Sequence, residues 1–207
     1  MTLASSPNNL VWQPALVDRD DRTQRNGHPG VVVWLTGLPA SGKSTLASQV
    51  EARLHRMGLH TALLDGDNIR HGLCADLGFS VEDRAENIRR VGEVAKLFAA
   101  QGCVVFVALV SPMRDARNAA RQRLPDGDFI EVHCHCPVAV CQARDPKGMY
   151  ARALAGEIAD FTGVSAPYEA PLKPELRIDT AANDVEVSAE QLARYLLDRL
   201  QFKVQGA

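Results

Sequence analysis

The sequence has no apolar run long enough to cross a membrane. Its longest, Cys103–Val110, is eight residues and stops at Ser111-Pro112, whereas a spanning helix needs about 20. The N-terminus shows no basic start followed by an apolar stretch, so no secretory leader is expected. Cysteine is sparse. Cys74, Cys103, Cys134, Cys136 and Cys141 form an odd set without a disulfide framework, which points to free thiols in a reducing, cytoplasmic compartment. Neither sign of charge is in excess. Lys and Arg total 23, Asp and Glu 25, for a net charge of −2. That argues against nucleic-acid binding through bulk positive charge. It leaves room for a small anion held by a few local cations. No internal repeat or low-complexity segment is present.

What is there fits one soluble domain. The chain has 207 residues, 46% hydrophobic and 23% charged, enough to bury a core without disulfides or metals. Residues 1–29 are polar and rich in breakers, and read as a flexible arm that Trp12 and Leu16 could pin to a surface. A domain spanning 30–207 follows. Val31–Thr36, Thr61–Leu64, Cys103–Val110, Phe129–His135 and Leu176–Ile178 read as buried strands. Between them, Leu46, Val50 and Leu54 recur at helical spacing, as do Ile88, Val91, Ala95 and Phe98. Arg114–Arg123 reads as a polar helix, its Arg117, Arg121 and Arg123 on a solvated face. Ser188-Ala189-Glu190-Gln191 fits a capping box opening a last helix with Leu192, Tyr195, Leu196 and Leu200 inward. The expected fold is α/β, a mainly parallel five-stranded sheet with helices on both faces.

The strongest local signal is Gly37-Leu38-Pro39-Ala40-Ser41-Gly42-Lys43-Ser44-Thr45. It matches G-x-x-x-x-G-K-[ST] and lies between a predicted strand and helix. Glycines let the backbone fold tightly so that N–H groups converge on phosphate oxygens, and the helix N-terminus adds positive potential there. Lys43 can reach the β- and γ-phosphates, and the Ser44 hydroxyl can ligate Mg²⁺. The motif specifies a nucleoside triphosphate and a P-loop NTPase fold, not the acceptor.

The acceptor side begins at Asp65-Gly66-Asp67, at the carboxyl end of the second strand, where ligands of parallel sheets bind. No Asp ends the third strand, so one of this pair, assigned as Asp65, becomes the candidate second Mg²⁺ ligand. Asp67 can orient an attacking hydroxyl or accept its proton. The same residues are also good turn chemistry, and the sequence alone leaves both readings open. Arg84, Arg89 and Arg90 gather at a predicted helix start, where cations oppose the dipole. Either a bound anion or ion pairs with Glu82, Asp83 or Glu86 would explain them. Phe79 fits either a base-stacking or a core role. Arg144, Lys147 and Arg152, among Gly, Pro and small residues up to Pro171, read as a mobile cationic lid.

Together, Gly37–Thr45, Asp65–Arg70, Gly78–Arg90, Ser111-Pro112, Ala143–Tyr150, Gly156–Ile158, Phe161–Gly163 and Pro167–Pro171 resemble adenylylsulfate kinase. The likeness runs in order and spacing from about Trp12 to the C-terminus. It implies transfer of the γ-phosphoryl of MgATP to the 3′-hydroxyl of adenosine 5′-phosphosulfate, giving 3′-phosphoadenosine 5′-phosphosulfate for sulfate assimilation. It implies that the loop from Gly37 holds ATP and that Asp67, Asn68 and Arg70 meet adenylylsulfate. Phe79 would stack on the adenine, Arg84 and Asn87 would bind the phosphosulfate side, and Val110 and Ser111 would line that pocket. Lys147 and Phe161 would belong to the lid at about 144–171, Phe161 as the second aromatic around the base. Ser111 matches a serine described in the family as a phosphoserine intermediate, which groups it with Lys43 and Asp67 as a catalytic candidate. Direct in-line transfer needs no such intermediate. A homodimer is implied, with ATP sulfurylase a candidate transient partner.

Four positions depart from the family pattern: Pro39-Ala40 replaces Ser-Gly, Met113 stands where an aromatic often follows Ser-Pro, and Asp160 stands where the lid often has Gly. None removes a group the chemistry needs. Two other readings remain: a P-loop kinase for another small hydroxyl compound, such as gluconate or shikimate, or a silent nucleotide-binding regulator of ATP sulfurylase. The Phe79–Phe161 pair argues against the first, and Lys43, Ser44, Asp65 and Asp67 against the second. His133-Cys134-His135-Cys136 is not read as a metal site, because strand alternation sends the two residue types to opposite faces.

Overall fold

The computed structural model describes residues 10–11 and 13–202; Trp12 lies outside them. Five strands, β1 (Val31–Thr36), β2 (Thr61–Asp65), β3 (Val104–Ala108), β4 (Phe129–His135) and β5 (Leu176–Asp179), form one parallel sheet in the order β2-β3-β1-β4-β5. Val and Ile dominate the inner strands, as burial on both faces requires. The chain leaves β1 for β2 on one side, while β4 lies on β1's other side. The end of β1 is therefore a topological switch point, where α/β sheets open a crevice. Strand register brings Thr36, Asp65, Ala108 and His135 to one edge of the sheet.

Helices α2 (Lys43–Arg56) and α8 (Val185–Arg199) cover one face, burying Leu46, Val50, Leu54, Leu192 and Leu196 against Val33, Leu35, Phe106 and Ile178. Helices α4 (Val81–Ala100) and α5 (Arg114–Arg121) cover the other, packing Ile88, Val91, Ala95 and Ala120 on Val32, Trp34, Val105 and Val107. Each Val, Leu, Ile or Phe among them contributes roughly 1.5–3 kcal/mol on burial, far more than helix propensity differences of a few tenths. The inward row of α4 ends at Ala99, not at Phe98, which is 41% exposed. The end of α4 packs close to the chain entering β1, where only Gly30 fits, because a Cβ on it would lie 2.0 Å from the Ala99 carbonyl oxygen.

Two more elements differ from the sequence reading. Helix α8 starts after Asp184, whose side chain accepts from the Val187 N–H at 2.8 Å. Ser188 is buried inside its first turns rather than capping it. Residues Arg19–Asn26 form α1, capped by a reciprocal Asp18–Asp21 box and ended by Gly27 at φ +71°. It buries no residue, so no apolar period marks it. Arg19 ion-pairs with Asp128, and Asn26 donates to the Gly102 carbonyl at 3.2 Å. Leu16 is exposed. Short helices α3 (Gly66–Ile69), α6 (Val138–Arg144) and α7 (Met149–Leu154) lie beyond strand ends. No helix among the described residues is long and apolar enough to cross a membrane.

Candidate active site

The loop after β1 is built for close backbone approach. A Cβ at Gly37 would stand 2.6 Å from the Cys134 carbonyl oxygen, and Gly42 caps α2 at φ +87°. Lys43 Nζ curls back to donate to the Gly37 and Leu38 carbonyls at 3.0 and 2.7 Å, and to Ser41 Oγ at 3.4 Å. Burial pushes its pKa down to about 8, because the ammonium has lost most of its water. The Ser41 carbonyl accepts from Thr180 Oγ1 at 2.8 Å, fastening the loop to the end of β5. Ser44 and Thr45 are exposed at the start of α2.

This loop opens on a cleft of about 1100 Å³. Pro39, Ala40 and Gly42 through Thr45 form its floor, and Asp65, Asp67, Phe79 and Arg84 one wall. Lys147 and Phe161 come from the 144–171 segment, where the sequence reading expects a lid. A narrower compartment of about 120 Å³ continues past Asp67, Phe79 and Arg84 to Arg70, Asn87, Val110 and Ser111. Most sequence-derived candidates thus converge. Gly37, Leu38 and Ser41 act from beneath through Lys43. Asn68 is exposed and lines neither compartment.

The Asp65-Gly66-Asp67 turn is both turn and site. Asp65 Oδ1 accepts from the Asp67 N–H at 3.0 Å and caps α3, which leaves the Asp67 carboxylate in the cleft. There it ion-pairs with Lys147 from the segment after α6. The arginines separate into two groups. Arg89 and Arg90 pair with Glu86, and Arg90 also with Asp76. Among the described residues, Arg70 and Arg84 have no carboxylate partner. Arg70 donates to the Leu77 and Gly78 carbonyls and lies 4.2 Å over the Phe79 ring. Arg84 donates to the Phe79 and Asp160 carbonyls, both at 2.8 Å. Desolvation lowers its pKa. Asn87, 4% exposed, leaves its Nδ2 without a protein partner.

The two aromatics are placed differently. Phe79 is 58% exposed, while Phe161 is buried edge-on against Tyr150 with centroids 5.0 Å apart. Tyr150 in turn donates to the Pro39 carbonyl at 3.2 Å. A small core of Cys136, Cys141, Tyr150, Ala153 and Phe161 therefore seats the lid segment against the phosphate loop. His133 and His135 face each other at 5.6 Å, and Cys134 is buried in the sheet core.

Four features are not anticipated by the sequence reading. Arg117 is not on a solvated face; it is 2% exposed and ion-paired to Glu131 at 2.6 Å. Arg121 and Arg123 are half-buried in ion pairs with Glu175 and Glu93. Trp34 Nε1 donates to Ser111 Oγ at 3.1 Å across 77 residues. Thr180, Asn183, Asp184 and Ser188 also line the cleft. Only these last had a usable signal, since they follow the carboxyl end of β5.

A P-loop floor, a carboxylate turn beside it and a lysine-bearing cover define a P-loop kinase. The adenylylsulphate kinase family model matches residues 29–179. An adenylyl-sulfate kinase of Shewanella amazonensis is 54% identical over 190 residues, covering 92% of this chain and 96% of its own. One from Acaryochloris marina is 51% identical over 191 residues, at 92% and 93% coverage. The solved Mycobacterium tuberculosis APS kinase in complex with AMPPNP and APS is 47% identical. It superposes with a TM-score of 0.77 over 84% of this chain and 99% of that one. The chain belongs to the adenylylsulphate kinase family.

Proposed function

We propose that the protein phosphorylates the 3′-hydroxyl of adenosine 5′-phosphosulfate with MgATP, releasing ADP and 3′-phosphoadenosine 5′-phosphosulfate. The observation that carries this is the narrow compartment. Two arginines without carboxylate partners, an exposed aromatic ring and an unpartnered buried amide suit an anionic aromatic nucleotide. A sugar acid would leave Phe79 without a role.

The chain's residues divide the work. The backbone N–H groups of the loop from Gly37 to Thr45 cradle the triphosphate, and Lys43 exchanges carbonyl contacts for phosphate oxygens. The Ser44 hydroxyl and Asp65 carboxylate are hard oxygen donors on the same cleft, a set that fits Mg²⁺. When bound, the ion neutralises charge on the β- and γ-phosphates. Asp67 orients the acceptor hydroxyl and takes its proton as that oxygen bonds to the γ-phosphorus and the bond to ADP breaks. Arg70, Arg84 and Asn87 hold the phosphosulfate end, Asn68 meets the acceptor from the rim, and Phe79 and Phe161 flank the base. Lys147 neutralises charge as the lid excludes water. Val110 and Ser111 shape the wall rather than carry the phosphoryl group, since Ser111 Oγ is buried and engaged by Trp34.

The test is ADP release from MgATP with and without adenylylsulfate, with products resolved by chromatography. Adenylylsulfate-dependent ADP with an equal amount of 3′-phosphorylated product is expected. ATP hydrolysis indifferent to adenylylsulfate would overturn the acceptor. Family membership also supports a homodimer and a transient contact with ATP sulfurylase; sedimentation of the chain alone and mixed with sulfurylase tests both.

A further inference from the structure

Arg117 joins three distant segments through one planar guanidinium. Its Nε donates to Glu131 on β4 at 2.6 Å, Nη1 to the Ser111 carbonyl at 2.7 Å, and Nη2 to the Glu169 carbonyl at 2.8 Å. Ser111 forms the acceptor wall with backbone in the left-handed region, φ +37°. A non-glycine residue stays there only when its surroundings over-determine it. Glu169 lies at the distal end of the lid segment. Its N–H donates to the Pro112 carbonyl at 2.9 Å, and its carboxylate accepts from the Arg114 N–H at 2.8 Å. Val110, beside Ser111, is held by its carbonyl from Thr36 Oγ1 at 2.8 Å, and the same hydroxyl lies 3.1 Å from the Tyr168 hydroxyl. The acceptor wall and the lid's return limb thus share one buried anchor.

We propose that Arg117 is a positioning residue for the acceptor: it sets the Val110–Ser111 wall and ties the distal end of the lid to it. The acceptor half of this rests on the function proposed above. Lysine cannot replace the fork, because a point charge cannot hold three divergent acceptors in one plane. A purely structural ion pair behaves differently. Replacing both partners with apolar residues of similar volume is often neutral for stability. Glu131 also lies 3.5 Å from Arg121, and it can be spared in this way because Arg121 keeps Glu175 at 2.7 Å.

The experiment compares wild type, Arg117→Lys and the double variant Arg117→Met with Glu131→Leu, measuring KM for each substrate, thermal midpoint and tryptic cleavage after Arg152. In both variants the KM for adenylylsulfate is expected to rise on the order of tenfold while that for ATP stays within about twofold. Cleavage after Arg152 is expected to accelerate, with the double variant's midpoint close to wild type. An unchanged adenylylsulfate KM overturns the proposal. So does a parallel loss of all parameters that tracks the midpoint and recovers in the double variant. A wild type with no adenylylsulfate-dependent ADP overturns the functional reading and the acceptor half together. The cleavage rate then decides the lid anchor alone.

Discussion

Lys147 of the lid segment and Asp67 of the turn after β2 form an ion pair over the cleft. Both side chains are exposed, so the pair holds the 144–171 segment weakly and its electrostatic worth is small, about 1 kcal/mol or less. Its consequence is chemical. The carboxylate that would receive the acceptor proton is held in the cleft beside the Lys147 ammonium. Asp67→Asn should therefore lower kcat by about 10²–10⁴-fold while ATP binding and the thermal midpoint change little. Steady-state turnover beside nucleotide titration checks this.

Ala40 and Asp160 both sit in the left-handed region, at φ +58° and +52°. They are the two positions at which the sequence resemblance leads to an expectation of glycine. Glycine adopts that backbone without the Cβ clash. Ala40→Gly should stabilise the protein by about 0.5–1 kcal/mol, net of glycine's greater chain entropy when unfolded. Asp160→Gly should gain less, because Asp tolerates this region better. Urea unfolding of each variant measures the gain.

Ser111→Ala separates a structural hydroxyl from a phosphorylated one. The Trp34 N–H would lose its acceptor, a loss of about 1–3 kcal/mol for a buried donor. Turnover is expected to stay within about tenfold of wild type. A complete loss of activity in a folded variant would restore the phosphoserine route.

His133 is buried against Tyr168 and His135, and burial lowers its pKa to about 4. His28 is lowered in the same way. In the unfolded chain a histidine binds its proton near pH 6.5. As pH falls from about 6.5 toward 4, the unfolded state therefore holds more protons and stability declines. His133→Phe, which keeps a ring in the stack, should flatten that decline. Urea midpoints across the window show it.

Lys43, with its pKa near 8, should take up protons when ATP binds above that pH, because phosphate oxygens favour the ammonium. Calorimetry in two buffers of different ionisation heat reads the uptake directly. Lys43→Met should abolish it.

Much of this was legible in the residue string. Val31–Thr36 and Phe129–His135 match their strands end for end; the first is almost continuously apolar, as burial on both faces requires, and the second keeps Phe129, Ile130, Val132 and Cys134 buried although Glu131, His133 and His135 interrupt it. The phosphate loop and the Asp65-Gly66-Asp67 turn were legible for a related reason: spacing alone constrains a backbone to converge on an anion. These are local properties. Helix α1 escaped notice because Arg19–Asn26 buries nothing and is held from outside, by Asp128. Arg117 was misplaced because its charge reads as solvent-facing unless its partner is known, and Glu131 lies on a different element. Which of Arg84 and Arg90 is paired was likewise decided by the carboxylates that folding brought near, Glu86 and Asp76 beside Arg90. The sequence determined the class of chemistry, because phosphate recognition is written in a short contiguous stretch. Only the tertiary structure decided which charges stay free for a ligand and which are spent on each other, because ion pairing depends on distances between segments that the chain brings together only on folding.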